Sequence, residues 1–136
     1  MLNRLCRTFA IAFLCLACAG KPMESSNDYA PSIKLITIDP GHFHAALVQK
    51  SMYPEIDSTV HVYAPDGNDL KLHLDRIKNF NARVENPTSW NEVVYTGGDF
   101  LEKMISEKKG NVVVIAGNNK HKGSYINESV SNGFHV

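Results

Sequence analysis

Residues 33–44, Ile33-Lys34-Leu35-Ile36-Thr37-Ile38-Asp39-Pro40-Gly41-His42-Phe43-His44, decide the fold. IKLITI is β-branched and nearly continuously apolar, which suits a strand covered on both faces rather than one with a wet face. Asp39-Pro40-Gly41 then turns the chain into a helix expected from about His44 to Met52, with Ala45, Val48 and Met52 on one face.

Outward from this unit the pattern repeats. A second strand is expected at 60–64 and a third at 93–96; NVVVIAG at 111–117 is the clearest buried strand, and Phe134-His135-Val136 begins a fifth. Asn68 can cap a helix whose Leu70, Leu74 and Ile77 form an apolar stripe opposite Lys71, Asp75 and Lys78. Leu70, Leu72 and Leu74 also alternate as a strand would, and the length of the pattern through Ile77 decides for helix. Periodicity fades over 79–91, which holds the one tryptophan, Trp90. Asp99 and Glu102 have capping-box spacing ahead of Leu101, Met104 and Ile105, and Lys108-Lys109-Gly110 ends that helix. A last helix, about 120–132 with Ile126 and Val130 inward, stops at Gly133.

Strands alternating with helices of this length predict right-handed crossovers and an α/β, doubly wound parallel sheet of about five strands and four helices. The sheet is expected to be incomplete, because the fifth strand has run only three residues at Val136.

Composition narrows the partners. The 136 residues are 43% hydrophobic and 21% charged with no formal net charge, so there is no basic face to bind nucleic acid through its phosphates. Cys6, Cys15 and Cys18 are the only cysteines, which excludes a disulfide scaffold and a thiolate zinc site from 33–136. Arg4 and Arg7 precede the apolar run 9–20, the arrangement of a secretory signal peptide and too short to span a bilayer. Ala17-Cys18-Ala19 offers a small-residue cleavage site, whereas Leu16-Ala17-Cys18 offers a lipobox with Cys18 as the lipidated residue, and the latter is preferred. The expected organisation is a leader at 1–19, a polar tether at 20–32 and a folded domain at 33–136. Export follows, to the periplasm or to the outer membrane through a lipid anchor on Cys18.

In a doubly wound sheet, ligands bind beyond the carboxyl ends of the strands near the switch point, so the loops 39–44, 64–68 and 116–121 matter most. A dinucleotide turn ordinarily has three glycines that let amides approach a pyrophosphate. Here only Gly41 remains, while Asp39 adds negative charge and Pro40 removes a donor. His42, Phe43 and His44 are phosphate or substrate contacts, or structural residues of a helix start; Asp39, His42 and His44 also have ligand chemistry for a metal, although two histidines two apart diverge in an extended turn, and no metal is assigned. Asp66 can accept hydrogen bonds from ribose hydroxyls or serve an ordinary Pro-Asp-Gly turn. Gly117, Asn118, Asn119, Lys120 and His121 offer amides and side-chain donors at the end of the fourth strand, with helix capping by Asn118 or Asn119 as the plainer reading.

The stretch VVVIAGNNKHKGSYINESVSNGFHV, 112–136, resembles the Gfo/Idh/MocA oxidoreductases. There a strand leads into Thr-Pro-Asn-x-x-His, a helix and then Gly-Lys-His-Val. Asn118 and His121 match the Asn and His, Gly133, His135 and Val136 match the close, and Ala116-Gly117 replace Thr-Pro. DPGHFHAALVQ and TSWNEVVYTG are similar to an exported or lipid-anchored branch from Bacteroidetes-type bacteria. The resemblance implies a Rossmann-like domain binding NAD or NADP, followed by a second domain that shapes a carbohydrate or polyol site. The family's Glu-Lys-Pro motif would fall a few residues past Val136, so the expectation is a fragment cut before its catalytic groups. The competing expectation is a non-catalytic, lipid-anchored module for a nucleotide or sugar phosphate. Self-association is left open by the sequence.

Overall fold

The computed structural model describes residues 32–136. The leader, Cys18 and the tether up to residue 31 lie outside the described residues. Strand β1 (Leu35–Ile38) is followed by a 3₁₀ helix, Phe43–Gln49, then β2 (Thr59–Ala64), α1 (Asn68–Ala82), β3 (Asn91–Thr96), α2 (Phe100–Glu107), β4 (Val112–Ile115) and α3 (Asn119–Ser131). All pairings are parallel and the sheet order is β3-β2-β1-β4. The chain therefore steps outward from β1 to β2 and β3, then crosses to the other side of β1 for β4. The switch point lies between β1 and β4. This is an α/β, incomplete Rossmann-like fold.

The fifth strand is present as a single parallel bridge, His135 to Val112. Val113 N donates to His135 O at 2.8 Å and His135 N donates to Asn111 O at 2.9 Å, so the segment lies along the free edge of β4.

Alternation along β1 builds two cores. Ile36 and Ile38 pack with Tyr63, Met104, Val113, Tyr125 and Phe134 under α2 and α3. Leu35 faces the opposite layer with Ala46, Val60, Ile77 and Trp90, under the 3₁₀ helix and α1. A strand covered on both sides must be apolar at successive positions, which is why IKLITI reads as it does.

Three details of the helices differ from expectation. The first is a 3₁₀ helix with Ala45, Ala46 and Gln49 buried, and Met52 lies outside it and is exposed. Ala45 and the half-buried Val48 face the core as expected; three residues per turn stacks Ala46 over Gln49 beside them, and Met52 misses the face because the helix ends at Gln49. In α3, Tyr125 and Ser129 face inward while Ile126 and Val130 are exposed. Starting the helix at Asn119 and swinging Tyr125 toward β1 turns the neighbouring positions outward, since each residue advances the face by about 100°. At both α1 and α2 the expected side-chain caps are absent: Gly67 takes the N-cap position of α1, and Asp99 accepts from the Tyr95 hydroxyl at 2.7 Å rather than from a helix amide.

Segment 79–91 is ordered by hydrogen bonds instead of periodicity. Asn81 donates to Trp90 O at 2.8 Å and accepts from Trp90 N at 3.0 Å and from the Thr88 hydroxyl at 2.6 Å. The Trp90 indole N–H donates to Gln49 O at 2.7 Å, tying the start of β3 to the 3₁₀ helix.

Candidate functional site

At the carboxyl end of β1, Asp39 adopts a left-handed backbone, φ 42°. That conformation costs a non-glycine residue about 1–2 kcal/mol, less for Asp than for most. It is held from two sides. Asp39 N donates to Tyr63 O at 3.0 Å, and the Asp39 carboxylate accepts from the Tyr125 hydroxyl at 3.0 Å. Burial and then the adjacent Asp39 carboxylate push the Tyr125 hydroxyl up to about 12, so it stays a donor across the neutral range.

The loop next meets β4. A Cβ on Gly117 would lie 2.2 Å from Asp39 O, a backbone atom, so only glycine fits. Gly41 is much less confined: its Cβ would lie 3.3 Å from Asp69 Oδ2, a side-chain atom, and 3.4 Å from Gly117 Cα. Close backbone passage at the switch point thus explains Gly117.

Most amides of the loop are already engaged. Gly41 N donates to Asp39 O at 2.8 Å, His42 N to Ala116 O at 2.9 Å, His44 N to His42 Nδ1 at 3.4 Å and Ala45 N to His42 O at 3.0 Å. A glycine-rich phosphate loop leaves such donors pointing outward, whereas this one turns them on itself.

Two clefts open on either side of the loop. One, of about 280 Å³, is lined by His42, His44, Ala116, Gly117, Asn119 and Lys122. The other, of about 200 Å³, runs along the end of β2 and the start of α1, and its charged residues are Asp39, Asp66 and Asp69. All three loops expected from the sheet topology contribute to these clefts.

Of the residues singled out in the sequence, His42, His44 and Gly117 line the first cleft, Asp66 lines the second and Gly41 separates them. Phe43 is exposed, its ring 4.6 Å from that of His42 and 4.2 Å from that of His44. Asn118 caps α3, accepting from Lys120 N at 2.9 Å. His121 is exposed with its ring 6.1 Å from Tyr125, on the rim and not in either lining. Among the described residues no three His, Cys, Asp or Glu side chains converge as a metal site requires. Asn119, one of the donors expected at the end of the fourth strand, lines the first cleft, whereas Lys122, Asp69 and Tyr125 are not among the expected residues. Lys122 was legible in principle, since it lies three residues after Asn119 in the first turn of α3 and shares its face.

Away from the clefts, Glu92 on β3 is half-buried against Gln49. Burial raises its carboxyl to about 7, and the hydrogen bond donated by Gln49 Nε2 to Glu92 Oε1 only partly offsets this. Glu92 Oε2 and Gln49 Oε1 are both buried without a partner. His73, buried in α1, is pushed down to about 4 by burial and by Arg76.

No family model and no curated protein matches the chain. Among solved structures, the chain is similar to one described as a putative oxidoreductase from Parabacteroides merdae ATCC 43184, with 60% identity and a TM-score of 0.76. The match covers 76% of this chain and 24% of that one, so the chain spans about a quarter of the length of the protein it matches.

Proposed function

We propose that residues 33–136 are the NAD- or NADP-binding, Rossmann-like part of a Gfo/Idh/MocA-type oxidoreductase acting on a carbohydrate-like alcohol or carbonyl, and that these residues alone do not turn over substrate. The observation that carries this reading is the pair of clefts beyond the carboxyl ends of the strands, one at the β1/β4 switch point and one between the β1 and β2 loops, where an open parallel sheet binds its ligand. The 60% identity to the oxidoreductase supports the reaction class, and the match of Asn118, His121, Gly133 and His135 to the family motif supports the family.

A bound nicotinamide dinucleotide would supply the hydride chemistry. The chain's own residues bind and orient. Gly41 and Gly117 keep the floor thin enough for close approach, Asp66 accepts hydrogen bonds from hydroxyls, and Asn119 and Lys122 donate to anionic oxygens. We also propose export with a lipid anchor at Cys18, supported by the charged and apolar leader. Palmitate labelling of the cell-expressed protein that disappears in Cys18→Ala fits the anchor, and unlabelled wild type refutes it.

The test of the main reading is isothermal titration of the purified chain with NAD and NADP, together with a turnover assay over a sugar panel. Saturable binding of a dinucleotide without turnover is expected. Turnover by this chain would refute the inactivity, and binding of neither dinucleotide would refute the reading. The engaged loop amides favour the second reading, a non-catalytic module for a nucleotide or sugar phosphate, which predicts tighter binding of sugar phosphates than of dinucleotides.

A further inference from the structure

Strand β3 ends the sheet order, and its residues register with β2 alone, from Asn91 opposite Thr59 to Thr96 opposite Ala64, without a bulge. Alternate residues of a parallel strand bond to each neighbour, so with one neighbour present the other N–H and C=O groups of β3 point away from the sheet. Natural edges are commonly guarded by proline, lysine, a bulge or a charge that pairing would bury. Asn91-Glu92-Val93-Val94-Tyr95-Thr96 has none of these guards free to act. Its one charge, Glu92, is already turned onto Gln49 with Oε2 buried, so pairing at the edge desolvates no further carboxylate. At the centre, Val93 is 43% exposed and Val94 39% exposed. Successive residues of a strand point to opposite faces, so the edge is apolar both above and below the sheet.

We propose that β3 is the interface of a homodimer, in which the β3 strands of two copies of this chain pair antiparallel and join their four-stranded sheets into one. The inference is independent of the dinucleotide reading above. A closed pair of identical chains is related by a two-fold axis, and a two-fold through a sheet edge runs the two strands antiparallel. Only registers centred on Val93 or on Val94 keep that symmetry, and each sets a valine beside its own copy. The free backbone groups then find partners, and the two exposed valines leave water on both faces.

Charge favours a second copy as the occupant. Helix α2 returns antiparallel to β3, so Asp99 and Glu102 lie toward the carboxyl end of the strand and Lys109, just past the helix, toward its amino end. Antiparallel pairing brings the amino end of one sheet beside the carboxyl end of the other. Each Lys109 therefore comes to the side where the second copy begins α2 with Asp99 and Glu102, and this happens twice about the axis. Neither Lys109 nor Glu102 makes an ion pair among the described residues. A cleft of about 330 Å³ opens along the same edge, with His61, Val93 and Tyr95 in its lining and Lys109 at its border, and gives the approaching copy room. An interface built on one strand pair is small, so the dimer is expected to be reversible.

The experiment is sedimentation equilibrium of the full chain over a range of concentrations, with amide hydrogen exchange read at the same concentrations. A monomer–dimer equilibrium in the micromolar range is expected, with exchange at β3 slowing as the dimer fills. Val93→Lys with Val94→Lys sets like charges opposite one another across the axis and should weaken association at least about tenfold, with circular dichroism showing the fold intact. Should that pair of changes unfold the chain, the charges at the ends of α2 provide a second route. Lys109→Glu alone should weaken the dimer several-fold, and adding Glu102→Lys should restore it, which only a contact between copies can do because the two positions lie at opposite ends of one helix. A monomer at every concentration up to about 1 mM overturns the proposal. So does association that neither set of variants changes, or β3 amides protected equally at every dilution, which would mean that another part of the same chain covers the edge.

Discussion

The junction of β1 with β4 and the outer edge at β3 are fastened by different means. At the junction two backbones pass so closely that glycine is required at 117, and Asp39 is held in a left-handed conformation by one backbone and one tyrosine contact. At the edge, β3 is largely exposed and is tied down by side chains: the Trp90 indole on Gln49 O, Asn81 around Trp90, and the Gln49–Glu92 pair. Main-chain proximity fixes the shape of the binding loop and does not titrate. Side-chain fastening at the edge leaves two buried oxygens whose partnership depends on a proton.

The contrast is broken most severely at the junction. Gly117→Ala puts a methyl group 2.2 Å from a carbonyl oxygen that cannot move without displacing the loop. It is expected to cost about 3 kcal/mol or more and to lower the melting temperature by over ~10 °C, as read by thermal unfolding. A small shift would mean that the two backbones are not confined.

The next effect concerns the edge and its pH dependence. Glu92 is raised in the folded protein to about 7 from an ordinary value near 4.5, so the proton is bound more tightly when folded. Its contribution is fully present below about pH 4.5 and is lost as pH rises through about 7, at up to about 1.4 kcal/mol per pH unit in between. A proton on Glu92 Oε2 can also donate to Gln49 Oε1, giving both orphaned atoms a partner. His73 acts in the opposite sense: lowered to about 4, it contributes stability above its unfolded value of 6.5 that is lost as pH falls through about 4. Subtracting the urea stability of Glu92→Gln from that of wild type at each pH isolates the first term. The difference should fall between pH 4.5 and 7, and a flat difference would remove the proton from the account.

Smaller changes sharpen the comparison. Trp90→Phe leaves the buried Gln49 carbonyl without its donor and should cost about 1–3 kcal/mol, with no change in ligand affinity. Tyr125→Phe removes only a hydroxyl and should cost about 1 kcal/mol, yet it frees Asp39 and should weaken dinucleotide binding. If Trp90→Phe impaired binding and Tyr125→Phe did not, the roles assigned to edge and junction would be reversed.

The layering was legible because a buried parallel strand must be apolar at successive positions, as IKLITI is; NVVVIAG has the same apolar run, yet only Val113 of β4 is buried, because that strand stands at the end of the four-stranded order and not in its middle. The three loops followed from the order of strands and helices alone. What stayed hidden depends on relations that a linear pattern does not carry. The 3₁₀ winding of 43–49 and the one-residue turn of α3 set which faces are buried, and the latter is decided by a tyrosine reaching an aspartate 86 residues earlier. Segment 79–91 lost its pattern because hydrogen bonds to Asn81 order it in place of a hydrophobic stripe. The loss of phosphate-binding amides was half visible: Pro40 removes one donor by its chemistry, while the self-bonding of Gly41, His42, His44 and Ala45 needs the folded turn.

The central claim, that ligand binds across Gly41 at the β1/β4 switch point, is tested most directly by mapping backbone amide shifts of the labelled protein during titration with NAD. The account predicts saturable shifts concentrated at Gly41 to His44, Asp66 to Asp69 and Gly117 to Lys122, with the β3 edge unmoved. Saturable shifts confined to the β3 edge, or none at those three loops at millimolar NAD, would contradict it.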